Sequence, residues 1–208
     1  MPDVVDNFNR ANETPLSGGG VWTNDSASAA FTFNLSANTA VPNSVASDAY
    51  AWYTGATWDA DQGAEANISC TSTLGGGQGV GVLLRKAAAA GTRTCYRIVA
   101  DHNATLNVEI SKILAGTFQS VFQTQFTRAW TNGDLLTATV EGPTNNALIK
   151  VYINGVLVGT KLDTVGDIPA SGFPGLCHSS TTVAPSIDNW RGFSPIYFSP
   201  VVMAPLTH

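Results

Sequence analysis

The stretch Ala147-Leu-Ile-Lys-Val-Tyr-Ile-Asn-Gly-Val-Leu-Val-Gly159 decides the fold class. Apolar and polar residues alternate up to Asn154-Gly155, and a second short β-branched run follows. Asn-Gly between two such runs signals a tight hairpin, because both turn positions need φ > 0. Just upstream, Asp134–Val140 and the break Gly142-Pro143 add a third strand, giving a meander.

The same reading extends outward. Thr105–Ile113 alternates with period two, setting Leu106, Val108 and Ile110 on one face and Asn107, Glu109 and Ser111 on the other. Ala115-Gly116 turns it into Phe118–Phe126. Gly79–Leu84 and Thr94–Ala100 flank Lys86–Gly91, whose alanines are too few for a helix without packing, so a wide hairpin loop is expected. Val4–Ala11, Ala29–Leu35, Ala49–Tyr53 and Ile187–Trp190 read as further strands. Val41–Ser47 reads as a Pro-containing connection, and the Asp-rich turn is taken to reach Ala64. Hairpins in series with no long helix pack as two antiparallel sheets face to face. The expectation is an all-β, two-sheet antiparallel β-sandwich over residues 1–193. Residues 194–208 differ: they are apolar and carry three prolines, which forbid a central strand. They are expected to form either a strap across their own sandwich or an arm laid on a neighbour.

A chain of 208 residues can bury one substantial core. It is 44% hydrophobic but only 12% charged, about half the usual charge fraction. The formal charge is −5 and Arg85-Lys86 is the only adjacent basic pair, so an electrostatic footprint for nucleic acid is missing. No apolar stretch is long enough for a membrane-spanning helix. The opening residues carry acid and lack an apolar core, which predicts no signal peptide. Cys70, Cys95 and Cys177 lack CxxC spacing and are read as buried thiols in a protein made in a reducing cytoplasm, with one pair able to bridge if strands bring it together.

Asp6-Asn-Phe-Asn-Arg-Ala11, followed by Leu16 and Trp22, resembles the opening of concanavalin A-like lectin/laminin G jelly rolls found in bacterial and phage proteins. Gly133-Asp134-Leu, Val151–Gly155, Asp163, Gly172–Leu176 and Ile187–Trp190 extend the resemblance to about residue 193. It implies a first strand near the last one, closing the sandwich. Asp6 and Asp188 are then expected to face one another or the Arg10 guanidinium as structural rim residues. The architecture serves binding, hydrolysis and plain structure alike.

Hydrolases of this shape carry a Glu-x-Asp-x-x-Glu strand, whose carboxyls flank the scissile bond. Glu13, Glu65, Glu109 and Glu141 do not fall in that spacing, and Glu109 has Ser111 where a partner carboxylate belongs. His102 and His178 have no Gly-x-Ser-x-Gly elbow to serve, and Cys/His spacing for zinc is absent. No catalytic residue is assigned, and no cofactor beyond a candidate Ca²⁺ at Asp59, Asp61 and Glu65, whose hard oxygens suit that ion. Large aromatics fill cores, which accounts for Trp22, Trp52 and Trp190. Trp58 and Trp130 are the better exposed candidates for stacking on a sugar ring, with Tyr53 beside them.

These features favour a non-enzymatic structural protein of a phage particle, a capsid decoration or head-surface component located in the virion. Its partners would be other virion proteins, the major capsid protein first, in a homo-oligomeric assembly. Ile196, Tyr197, Phe198, Val201, Val202 and Met203 would be its contacts. The alternative is a carbohydrate-binding module or tail adhesin recognising a glycan. A glycoside hydrolase ranks third, and neither nucleic acid nor a membrane is expected.

Overall fold

A computed structural model describes residues 2–25, 31–44, 47–70, 79–87, 93–101, 107–179 and 185–195. These contain no α-helix and sixteen strands. The first group is β1 (Asp3–Asp6), β2 (Trp22–Asn24), β3 (Phe33–Ser36), β4 (Thr39–Pro42), β5 (Ala49–Tyr53) and β6 (Gln62–Ser69). The middle group is β7 (Gly79–Lys86), β8 (Cys95–Asp101), β9 (Asn107–Leu114), β10 (Thr117–Phe118) and β11 (Thr124–Thr127). The last group is β12 (Asp134–Glu141), β13 (Ala147–Ile153), β14 (Val156–Asp163), β15 (Phe173–His178) and β16 (Ser186–Phe193).

They form two antiparallel sheets. Sheet A runs β14-β13-β12-β6-β16-β4-β3, with β1 also on β16; sheet B runs β10-β9-β8-β7-β15-β5-β2, with β11 also on β9. The expected all-β sandwich is what forms. The predicted meander is β12-β13-β14, with Asn154 and Gly155 at φ 50° and 75°. Ala37-Asn38 and Ala115-Gly116 repeat that left-handed pair in two more hairpins.

The inner faces follow the alternation. Val80, Val82 and Leu84, Tyr96 and Ile98, and Val108 and Ile110 of sheet B meet Ala64, Ala66 and Ile68, Leu136, Ala138 and Val140, and Ile149, Val151 and Ile153 of sheet A. At one end Trp22 sits edge-on to Trp190 (centroids 4.8 Å) and to Tyr53 (5.5 Å), and Tyr53 stacks on Trp190 (5.5 Å, 26°). Asp6 ties the N-terminal segment to this cluster: Oδ2 accepts from Trp22 Nε1 (2.7 Å), and Oδ1 accepts from the Phe8 backbone N–H (2.8 Å). That second bond holds Phe8 at φ 55°, so the chain leaves β1 after Asp6 rather than running extended to Ala11. At the other edge Lys112 bridges the sheets, donating to Asp163 (3.2 Å) and Asp167 (2.7 Å), while Tyr96 donates to Asp163 (2.9 Å).

Three expectations are corrected here. Residues 39–42 are a strand rather than a connection, since the Ala37-Asn38 turn sends the chain straight back along β3. The Asp-rich turn stops at Asp61, and Gln62–Ser69 is a central strand between β12 and β16. Its Ala64, Ala66 and Ile68 point inward, which small side chains disguise as loop. Sheet B is also buried on its outer face, where Tyr50, Leu83, Cys95, Val99, Ile113 and Cys177 form a second apolar cluster. Trp52 shares that outer row by alternation and lies under the Lys86 ammonium (3.9 Å), so it is buried but not between the sheets.

Glycines on the packed strands cannot take a methyl group. At Gly81 a Cβ would run into the Ile98 carbonyl oxygen on β8, whereas at Gly155 it meets open space. We expect Gly81→Ala to cost about 2–3 kcal/mol through overpacking against backbone. Gly155→Ala should cost about 1 kcal/mol, from its left-handed φ alone. Denaturant midpoints of the two variants measure the difference.

Candidate functional site

On the outer face of sheet B, alternation aims Asn107, Glu109, Ser111 and Ile113 of β9 the same way as Cys95, Arg97 and Val99 of β8. The register sets Arg97 opposite Ser111. The result is a pit of 320 Å³ lined by Asp48, Arg97, Glu109, Phe118, Gln123 and Ser179. Arg97 occupies its floor. Nη2 donates to Glu109 Oε1 (3.1 Å), Nε donates to Ser111 Oγ (3.1 Å), and Nη1 lies 3.6 Å from Asp48 Oδ2. Glu109 Oε2 accepts from the side-chain amides of Gln123 (2.5 Å) and Gln125 (3.2 Å). Tyr50 donates its hydroxyl to Asp48 (3.1 Å).

Burial opposes the charge on Arg97, but the Glu109 and Asp48 carboxylates beside it hold the guanidinium protonated. Burial, reinforced by Asp48, pushes the Tyr50 hydroxyl well up, so it remains a donor. Arg97 and Glu109 are almost fully buried, while the Asp48 side chain (31% exposed) and Phe118 (38% exposed) stand at the mouth. Phe118 presents an aromatic plate whose centroid lies 5.4 Å from the Arg97 guanidinium. The chemistry is directional and non-covalent: a rigid array of carboxylate, amide and hydroxyl groups under one ring. Glu109 has both oxygens engaged by donors and faces Asp48 across a cation.

The residues singled out in the sequence fall elsewhere. Trp58 (6% exposed) and Trp130 (3% exposed) are buried, correcting the expectation that they are exposed. Trp58 Nε1 donates to the Tyr53 carbonyl (3.1 Å), and its ring packs where a Gly192 side chain would be. Trp130 Nε1 donates to the Asp101 carbonyl (3.2 Å) from within the core. Tyr53 belongs to the aromatic cluster between the sheets. The edge of Trp58 does line a rim cleft of 730 Å³ with Thr54, Thr57, Pro169, Ser171 and Phe173.

The candidate calcium ligands do not converge. Asp61 accepts from the Gly142 backbone (2.6 Å), Asp59 from Ser194 (3.2 Å), and Glu65 from Arg191 (3.2 Å) and Thr137 (3.2 Å) on the outer face of sheet A. Among the described residues no cluster of His, Cys, Asp and Glu is placed to hold a metal ion. Asp6 does pair with Arg10 (2.6 Å), whose other partner is Glu13 (2.7 Å). Asp188 joins neither: its Oδ1 accepts from the Asn189 backbone at a bulge in β16, where Asn189 has φ 49°. Ile196, Tyr197, Phe198, Val201, Val202, Met203 and His102 lie outside the described residues. Cys70, Cys95 and Cys177 are all buried.

Sequence reading missed Arg97, Asp48, Gln123 and Phe118. Pairing the polar row of β9 with the adjacent strand would have found Arg97. An aromatic just past the Ala115-Gly116 turn on a two-residue edge strand was the available signal for Phe118.

No protein-family model matches this chain, and no curated protein sequence does. Solved structures do. It is similar to the carbohydrate-binding module CBM66 from Bacillus subtilis, with TM-score 0.59 and 17% identity over 84% of this chain and 96% of that one. The lectin UEA-II, complexed with galactose, gives TM-score 0.55 and 9% identity over 94% and 99%. Bacillus licheniformis β-glucanase gives 0.56 and 13% over 94% and 99%. The fold is concanavalin A-like. These likenesses correct the expectation of a phage structural protein partnered by a major capsid protein. The chain superposes on carbohydrate-binding and carbohydrate-cleaving proteins, and nothing in them points to a virion. Binding modules and a glucanase share this architecture, so the fold alone does not separate binding from cleavage.

Two outcomes test the pit's electrostatics. Arg97→Met leaves Glu109 buried without its counter-charge and is expected to cost about 3–5 kcal/mol, with much of that recovered when Glu109→Gln is added. His178, beside the pit, is buried with Nδ1 3.2 Å from the Ser47 carbonyl oxygen and Nε2 unpartnered among the described residues. Burial, opposed by Asp48, lowers its pKa from 6.5 to about 4. Between those values the unfolded state binds a proton that the folded state refuses, so stability falls as pH drops through that window. The loss is on the order of 3 kcal/mol. His178→Gln should flatten that part of the curve in pH-dependent urea unfolding.

Proposed function

We propose that this domain is a non-catalytic carbohydrate-binding module that receives a sugar ring in the pit on the outer face of sheet B. The observation that carries the reading is the Phe118 plate standing over the Arg97–Glu109–Gln123 array. A sugar has an apolar C–H face that packs on an aromatic ring, and hydroxyls that only fixed, directional partners distinguish. The array is fixed because its charged members are buried and mutually bonded, so it needs no reordering on binding. Likeness to a carbohydrate-binding module and to a lectin complexed with galactose supports the same reading.

Binding is favoured over hydrolysis by the state of the carboxylates. Cleavage needs one carboxyl to deliver a proton and a second to attack or to activate water. Here Glu109 is held by Arg97, Gln123 and Gln125, and Asp48 receives the Tyr50 hydroxyl.

The test is a soluble-oligosaccharide panel read by NMR titration of the whole chain. Saccharide binding should shift the Gln123 and Gln125 side-chain amides, release no product, and weaken at least tenfold in Phe118→Ala. That exposed substitution should leave the melting temperature nearly unchanged. A panel with no binder, or a Phe118→Ala variant that binds as well as the parent, overturns the reading.

A further inference from the structure

We infer that the pit selects uncharged sugar rings and rejects those carrying a carboxylate, such as uronic acids; this rests on the pit being a saccharide site. The fixed charge in it is one cation, Arg97, against two anions, Asp48 and Glu109. Nor is the cation available to an incoming anion. Its three nitrogens already face Glu109, Ser111 and Asp48, and the guanidinium is almost fully buried. The remaining donors are turned to the same carboxylates: each of the Gln123 and Gln125 amides gives one of its two N–H groups to Glu109, and the Tyr50 hydroxyl goes to Asp48.

Neighbouring cations do not redress the balance. Arg93 is paired with Asp25 (2.7 Å), and Lys86 is buried over Trp52 with its ammonium donating to the Ala87 carbonyl (2.7 Å). Lys112 alternates to the opposite face of β9 and is bound to Asp163 and Asp167. His178 is neutral at pH 7, because burial lowers its pKa. The residues outside the described ranges contain no Asp, Glu, Lys or Arg at all. None of them therefore brings a permanently charged side chain to the mouth.

A neutral ring supplies both hydroxyl hydrogens for the carboxylate oxygens of the pit and hydroxyl oxygens for the second N–H of each Gln amide. A carboxylated ring brings more acceptors and a like charge to the partly exposed Asp48, in a site where burial on the floor weakens screening by water. One tenfold step in affinity lies between the few-fold effect of a fully exposed charge pair and the far larger effect of a buried one, as suits the partly buried Asp48.

The experiment titrates the full chain at pH 7 with matched pairs: glucose and glucuronate, galactose and galacturonate, mannose and mannuronate. The resonances of the Arg97 side chain and of Gln123 and Gln125 report the pit. The expected result is at least tenfold weaker binding of the uronate of whichever pair binds, with the gap closing to threefold or less in Asp48→Asn. A uronate that binds the pit as well as its neutral partner overturns the inference while leaving the saccharide site intact. So does a gap that Asp48→Asn does not narrow. If no sugar of any pair, nor any of the larger panel, moves those resonances, the binding reading itself falls.

Discussion

Sheet B is buried on both of its faces, and the rest of the molecule answers to that constraint. Strands β7 and β8 are buried at every position, and β9 at all but the last. One face meets sheet A in the main core, and the other carries the second cluster around Tyr50, Leu83 and Cys177. A strand in that position cannot use the ordinary division of apolar residues inside and polar residues in water. Each polar side chain on the outer row must instead find its partner within the protein, since an unpaired buried charge is strongly destabilising. Arg97, Glu109 and Ser111 are thus locked together by the burial they share.

A related economy governs the charges elsewhere. The chain has ten basic residues against fifteen acidic ones, and the structure uses the surplus by giving single cations two carboxylates each. Arg10 holds Asp6 and Glu13, Lys112 holds Asp163 and Asp167, and Arg191 holds Asp3 and Glu65. Each of these closes a seam: the N-terminal turn, the edge between the sheets, and the junction of β1, β16 and β6. Arg97 with Glu109 and Asp48 is the fourth such unit, set in the pit on the outer face of sheet B with Phe118 at its lip. A low charge fraction here reflects charges being placed as braces rather than spread over the surface for solubility.

Much of the fold was legible because local rules and tertiary packing agree. The Asn154-Gly155 hairpin, the Ala115-Gly116 turn and the alternation of Val108 and Ile110 needed no knowledge of distant contacts. Reading failed where small residues do the packing. Ala64 and Ala66 fill the inner row of a central strand, yet alanine carries little strand signal, so β6 looked like the tail of an acidic turn. The site was harder still. Whether Glu109 faces water or a buried layer depends on what lies over sheet B, which alternation cannot report. Trp58 and Trp130 misled for the reverse reason: polar neighbours in sequence suggested exposure, but their rings turn inward and only their N–H groups find backbone carbonyls.

The rim cleft around Trp58 is more than twice the volume of the pit, yet size is the weaker guide to a sugar site. Sugars differ from one another mainly in the directions of their hydroxyls, so a discriminating site needs polar groups whose own directions are fixed. None of the described residues lining the rim cleft is charged, and of its hydroxyls on Thr54, Thr57 and Ser171 the first already donates to the Val21 carbonyl (3.1 Å). In the pit, by contrast, a planar guanidinium and a carboxylate, both almost fully buried, hold one another, and the part-buried Gln123 and exposed Gln125 amides fix the second carboxylate oxygen. Volume without direction gives adhesion to many surfaces. Direction over a rigid, doubly buried sheet is the property on which the proposed sugar site rests.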